Sequence, residues 1–269
     1  MVKKIKKKAK SQKKKTFKGL RILLIVIACI FVISLIGITF SMITKNEFKE
    51  TFGIIIGSGN VISETREVPY FNSLELRSIS NVYISQGEKQ SITIQAEDNI
   101  LETINTEVKN NKLIISKEGY RFAIIRAHAP INIYITTKDI TELEVSGSGN
   151  IISNSIIVTD NLELEISGSG NITINASTNN LETSISGSGK IDLSGIANNH
   201  NLKISGSGNI NSFNLLTKST SALISGSGNA KINVLEELDA KISGSGNIQY
   251  QGNPEVETSI SGSGTVKKG

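Results

Sequence analysis

Two pairs of carboxylates have the type and spacing to do chemistry: Glu142/Glu144 and Glu163/Glu165. Two carboxyls flanking a substrate can hydrolyse a glycosidic bond if their separation is fixed and one pKa is raised. A polysaccharide lyase would instead gather acids around Ca²⁺ with a basic residue beside them. Neither pattern is met. Asp98, Asp139, Asp160, Asp192 and Asp239 are dispersed, and the Glu pairs bracket Leu143 and Leu164, as solvated strand faces do. His128 and His200 are the only histidines and Cys29 the only cysteine, too few for a multi-His centre, a Cys-based zinc site or a disulfide framework. Gly147-Ser148-Gly149 lacks the third glycine and following helix of a dinucleotide loop, and there is no P-loop or Gly-x-Ser-x-Gly elbow. Both histidines read as exposed, His200 in a variable turn and His128 in a loop. No catalytic residue, metal site or cofactor is expected.

The elements that would carry these residues are set by an internal repeat. Ser-Gly-Ser-Gly begins at Ser146, Ser167, Ser186, Ser205, Ser225, Ser243 and Ser261, with a shorter echo at Gly57-Ser58-Gly59-Asn60. A flexible linker would not carry branched aliphatics at fixed offsets. Here Val145, Ile166, Ile185, Ile204, Ile224, Ile242 and Ile260 precede the copies. Ile151, Ile172, Ile191, Ile210, Ala230, Ile248 and Val266 stand two residues after them. Leu162, Leu164 and Ile166 alternate with Glu163 and Glu165, the period of a strand.

Each unit therefore reads as strand, glycine corner, strand and variable turn. One unit cannot bury an apolar face alone, but units stacked in register can. The pattern predicts an all-β protein: a parallel β-solenoid (β-helix) of about seven 18–21-residue coils over 146–269. The corner glycines Gly147, Gly149, Gly168, Gly170, Gly187, Gly189, Gly206, Gly208, Gly226, Gly228, Gly244, Gly246, Gly262 and Gly264 should occupy positions with no room for a Cβ. Asn150, Asn171, Asn209, Asn229 and Asn247 should form an amide ladder, interrupted by Lys190 and Thr265. Residues 57–145 carry no repeat and should cover the opposite end as a β region, with strands at 73–77, 81–86, 91–96, 112–117 and 131–136. A turn is expected at Gly87-Glu88 and a loop between Tyr120 and Pro130. Lys267 and Lys268 look like charge protection of the open C-terminal edge.

The formal charge of +5 averages two unlike regions. Residues 1–21 hold ten Lys and Arg21 without an acid, a charge of +11, while residues 46–269 hold 17 basic and 24 acidic side chains, or −7. Between them, residues 22–43 carry no charge; as a helix they would span roughly 33 Å, enough for a bilayer core. The positive flank predicts a single-pass transmembrane helix with the basic tail cytoplasmic and 57–269 outside, joined by a short linker at 44–56. That neighbour assigns the tail to anionic lipid headgroups, not nucleic acid. A cleaved signal peptide would need a shorter apolar stretch and a better small-residue site than Phe40-Ser41-Met42-Ile43. Val26-Ile27-Ala28-Cys29 is similar to a lipobox, yet the apolar run continues past Cys29, as in a membrane-spanning helix.

Several short motifs occur in a telling order. Gly57-Ser58-Gly59-Asn60-Val61 is followed by Arg66, Val68 and Phe71, then Asn81-Val82-Tyr83-Ile84 and Glu97-Asp98-Asn99-Ile100-Leu101. Leu113-Ile114-Ile115 and Pro130-Ile131-Asn132-Ile133-Tyr134-Ile135-Thr136 lead into the repeats. In this order, over about 57–266, the chain resembles the putative auto-transporter adhesin, head GIN domain family. The resemblance implies a bacterial cell-envelope β-solenoid with no established catalytic residues, and more loosely a link to envelope-stress sensing. The membrane anchor departs from a secreted or lipoprotein head.

The expected function is a membrane-anchored, extracytoplasmic, non-catalytic binding (adhesin-like) or structural domain. Its partner would be an envelope protein or polymer, met through a solenoid face or through Tyr120, Arg121, Phe122, Arg126 and His128. The alternatives are a sensor acting through a membrane partner, since a tail of about 20 residues holds no output domain, and a β-helix polysaccharide-degrading enzyme. The solenoid end offers a route to a homo-oligomer.

Overall fold

The computed structural model describes residues 54–118 and 124–269. The basic tail, the expected membrane helix, Cys29, most of the linker, and Tyr120, Arg121 and Phe122 lie outside the described residues.

In chain order the described residues form β1 (Ile54–Ile56), β2 (Val61–Arg66), β3 (Ser73–Leu76), β4 (Asn81–Gln86), β5 (Ser91–Glu97) and one helical turn, α1 (Asp98–Leu101). Next come β6 (Ile104–Lys109), β7 (Lys112–Lys117), β8 (Ile124–Arg126), β9 (Asn132–Thr137), β10 (Glu142–Val145), β11 (Asn150–Ser153) and β12 (Ile157–Ile166). The last are β13 (Asn171–Gly187), β14 (Lys190–Gly206), β15 (Asn209–Gly226), β16 (Asn229–Gly244), β17 (Asn247–Gln251), β18 (Glu255–Gly262) and β19 (Thr265–Lys268). Apart from the pair β1–β8, all strands belong to one continuous coiled sheet.

The repeat builds a parallel β-solenoid. Strands of successive coils pair parallel, so that Ile166, Ile185, Ile204, Ile224, Ile242 and Ile260 are direct partners. All but Ile260 are at most 2% exposed, and Ile151, Ile172, Ile191, Ile210, Ala230 and Ile248 form a second buried column. Parallel coils bring like residues to about 4.8 Å, so one aliphatic column fills the core continuously.

The corners explain the glycines. At Gly206 the backbone has φ +125°, and a Cβ there would lie 2.6 Å from the Gly187 carbonyl oxygen. At Gly208 a Cβ would lie 2.5 Å from Ile185 Cγ2. The contact is close because the corner backbones hydrogen-bond to each other: Ser207 N–H donates to Gly187 O at 2.9 Å and Asn209 N–H to Gly189 O at 3.0 Å. The same pair of bonds recurs at the other stacked corners, satisfying backbone groups that a loop would leave open.

Chain order and spatial order part company at the N-terminal end. β3 and β4 form a coil of their own, sandwiched between the coil of β10 and β11 and that of β7 and β9. Arg77-Ser78-Ile79-Ser80-Asn81 thus takes the place of Ser-Gly-Ser-Gly-Asn, so the region without the tetrapeptide still contributes coils to the stack. Beyond it the pairing turns antiparallel: β6 pairs with β7, and β5 with both β9 and β2. The β6–β7 hairpin turns at Asn110 and Asn111, with φ of 52° and 61°, the left-handed pair of a two-residue hairpin loop.

Two expectations need correction here. β8 lies inside the stretch expected to be a loop, and β1 inside the expected linker. Their Ile-rich triplets pair parallel, Ile54 with Ile124 and Ile56 with Arg126, and send Ile55 and Ile125 against the core. At the other end no further coil follows β18 and β19 among the described residues. Val256 and Ile260 there are 37% and 45% exposed, where Leu238 and Ile242 in the preceding coil are at most 2%.

Candidate functional site

The variable turns, not the corners, create a concave feature with mixed chemistry. Parallel pairing continues through them: Thr159 pairs with Thr178, Thr178 with Ala197 and Ala197 with Thr217. Three of these small residues are nearly buried and form a floor. The residues before them project outward as Val158, Ser177, Ile196 and Leu216, and those after them as Asp160, Asn179, Asn198 and Lys218. The result is a groove of about 590 Å³ crossing five coils, with Leu235 lining it on the fifth. Four coil steps give it a length of roughly 19 Å.

Its walls differ. On one side Val158 is 64% exposed, Ile196 55% and Leu216 39%, with Ser177 between the first two; the register continues this file at Asn233, so Leu235, 48% exposed, stands after Lys218 at the end of the other file. Opposite, Asn179 Nδ2 donates to Asp160 Oδ1 at 2.9 Å and Asn198 Nδ2 to Asn179 Oδ1 at 2.7 Å. Each amide keeps a second N–H for a ligand. Thr178 Oγ1 is committed to the carbonyls of Asp160 and Asn180, both at 3.1 Å, which fixes the floor. The lining holds no aromatic ring, no histidine and one carboxylate, so it offers contact and hydrogen bonding, with no acid–base pair.

Amide ladders run elsewhere as well. At the corners the file is Asn132, Asn81, Asn150 and Asn171, with bonds of 3.2, 2.8 and 2.7 Å, then a break at Lys190. It resumes as Asn209, Asn229 and Asn247 at 3.0 Å each, and Thr265 Oγ1 donates to Asn247 Oδ1 at 2.7 Å. Thr265 therefore ends the ladder instead of interrupting it, because a hydroxyl can supply the final donor. Asn161, Asn180 and Asn199 form another file beside the groove.

The acidic pairs occupy a different face. Glu142, Glu163 and Glu182 are direct cross-strand partners, as are Glu75, Glu144 and Glu165. Lys112 Nζ bridges Glu142 at 2.5 Å and Glu144 at 3.2 Å, and Arg77 pairs with Glu75. Burial first, then the charges of Glu142, Glu182 and Glu165, raise the Glu163 pKa. The like charges placed opposite each other add to the cost of burial. Among the described residues no three His, Cys, Asp or Glu side chains are grouped to hold a metal ion.

The Gly57–Asn60 echo is clamped by Glu97-Asp98-Asn99. The Glu97 carboxylate, fully buried, accepts N–H bonds from Gly59 and His128 at 2.5 Å and from Ala129 at 3.1 Å, and His128 Nδ1 lies 3.3 Å away. The Gly59 bond above all lowers its pKa to about 2, against the desolvation that would raise it. Asp98 accepts from Ser58 Oγ and from Asn60 Nδ2, bonds that lower its pKa as well, and Asn99 Nδ2 donates to Ile56 O at 2.8 Å.

Of the residues put forward as a partner-binding set, Arg126 ends β8 and His128, 63% exposed, serves the clamp. Tyr120, Arg121 and Phe122 lie outside the described residues. His200 is the clear correction: it is 1% exposed, standing in a core column between Leu181 and Thr220, with Nε2 3.0 Å from Thr183 Oγ1. Burial lowers its pKa to about 4.

Residues 70–254 match the family described as putative auto-transporter adhesin, head GIN domain. A solved putative adhesin from Bacteroides fragilis is 30% identical, with a TM-score of 0.75, and the match covers 80% of this chain and 99% of that one. A putative lipid binding protein from Parabacteroides distasonis is 25% identical (TM-score 0.67), covering 80% of this chain and 99% of that one. A putative adhesin from Parabacteroides merdae is also 25% identical (TM-score 0.64), covering 80% and 98%. No curated protein matches the chain. The chain belongs to the head GIN domain family.

Proposed function

We propose that this head GIN domain is a non-catalytic binding module, tethered to the outer face of a cell membrane, that holds an extended envelope polymer along its coil stack. The observation that carries the reading is the file of exposed Val158, Ile196 and Leu216, broken only by Ser177, facing an amide ladder. Outward columns of a solenoid need only be polar, and contiguous exposed apolar surface is characteristic of interaction sites. A chain with one apolar and one hydrogen-bonding edge satisfies both walls at once, over a length that no small molecule needs. The adhesin names of the relatives agree with binding in place of turnover. The charge-free run at 22–43 behind a +11 tail supports single-pass anchoring with the tail cytoplasmic.

Photo-crosslinking residues placed at Ile196, at Leu216 and at the corner Ser207 of the full chain test this in intact cells. Polymer adducts are expected from the two groove positions and not from Ser207. Equal labelling at all three, or none, overturns the groove as the binding surface. Adducts to one membrane protein instead would move the function to sensing.

A further inference from the structure

The β1–β8 pair is a two-faced plate. Its inner residues Ile55 and Ile125 pack on the core, while Ile54, Ile56 and Ile124 are 59%, 60% and 59% exposed. Register and alternation put Arg126, also exposed, on the same outer face, directly across from Ile56. Three isoleucines and one arginine make the outer face of these two three-residue strands largely apolar.

The plate is held at the end where both strands finish. Gly57 N–H donates to Arg126 O at 3.0 Å and Asn99 Nδ2 to Ile56 O at 2.8 Å, so the clamp at Glu97–Asn99 holds the strand where it leaves β1. The chain outside the structure supplies the occupant. The apolar run ends at Ile43, and residues 44–53 are all that separate it from Ile54. Even fully extended, these reach only about 35 Å. The tether makes contact with the bilayer an intramolecular event at high effective concentration. The chemistry fits: branched aliphatics for the acyl boundary and a guanidinium for lipid phosphate.

We infer that the outer face of the β1–β8 plate, Ile54, Ile56, Ile124 and Arg126, rests on the membrane surface and seats the solenoid base against the lipid headgroups. The inference rests on the anchoring reading above, and the test separates the two.

The full chain, with Cys29→Ser, carries a nitroxide label at a single cysteine replacing Ile54, Ile124 or Ser188 in vesicles of phosphatidylglycerol and phosphatidylcholine. All three sites are exposed, so labelling leaves the core intact. Collisions with dissolved oxygen are expected to dominate at 54 and 124, and those with a water-soluble nickel chelate at 188. Alkaline extraction reports on the anchor independently: a chain that washes off the vesicles refutes the anchor and this contact with it. A chain that stays while labels at 54 and 124 behave like 188 keeps the anchor and overturns the contact. Spin–spin broadening at 124 between copies would assign the plate to a second copy and likewise overturn it.

Discussion

His200 gives the solenoid an acid-sensitive coil. Its imidazole takes a core position filled by Leu162 and Leu181 in the two preceding coils and is 1% exposed. Nε2 meets Thr183 Oγ1 at 3.0 Å, whereas Nδ1 has no hydrogen-bond partner. Burial lowers the pKa from 6.5 to about 4. The sign follows from proton binding. Above pH 6.5 neither folded nor unfolded chain is protonated here, and between 6.5 and about 4 only the unfolded chain is. Stability therefore falls as pH drops through this window, by roughly 3 kcal/mol in all, and levels off once the folded imidazole also protonates. His200→Leu restores the column but strands the Thr183 hydroxyl at a cost of about 1–3 kcal/mol, so Thr183→Val should accompany it. The assay is urea unfolding of wild type and double variant across the window, with hydrogen exchange of β13–β15 as the local readout. The wild type should lose protection there as the medium acidifies and the double variant should keep it. Equal pH slopes in the two proteins would refute the reasoning.

Gly206→Ala should lower stability by roughly 1–3 kcal/mol through its positive φ and the clash with the Gly187 carbonyl. The adjacent Ser207→Ala should stay within about 0.5 kcal/mol in the same thermal melts. Lys190→Asn should join the two halves of the corner amide ladder and raise stability by about 0.5–1.5 kcal/mol. It sacrifices only the exposed Lys190–Asp192 ion pair, which contributes little. Glu97→Gln should free the Gly57–Asn60 segment, read as faster exchange of the Gly59 and Ala129 amides. In the wild type the Glu97 contribution is present above its ordinary pKa of 4.5 and is lost as pH falls toward about 2, a window that meets the His200 window only near the latter's lower end.

The solenoid was legible because its signal is redundant: seven corners, with branched aliphatics at every flanking position but Ala230, state one period many times. The strands expected at 73–77, 81–86, 91–96, 112–117 and 131–136 all occur, with bounds differing by about one residue at most. β2 was hidden because Val61 and Ile62 sit side by side in an otherwise polar segment, showing no alternation. β6 carries Ile104, Thr106 and Val108 at period two, and Asn110-Asn111 after it is a hairpin signal; this element could have been found. The coil of β3 and β4 escaped notice because its corner has serines where the others have glycines. Nothing local could reveal that it stacks out of chain order, since that depends on pairing across about 69 residues.

The groove and His200 share one reason for being missed. The corners state the period of the repeat, while the turns between them vary in length, so the turn residues show no common pattern in the sequence. Counted back from His200 in steps of 19, Leu181 and Leu162 fall on core positions, which marks His200 as a core residue in a polar stretch. The same count lines up Val158, Ser177 and Ile196. Stacking amplifies whatever a column contains, because each side chain meets its counterpart in the next coil. Amides in file gain hydrogen bonds, and the Asn columns are explained by the fold itself. Carboxylates in file repel, and Lys112 and Arg77 offset that at one end of the acidic face. Exposed aliphatics in file gain too little contact with one another to offset their exposure to water. The exposed aliphatics Val158, Ile196 and Leu216 are thus part of a column the solenoid has no internal use for, and their reason must be sought in what lies against them.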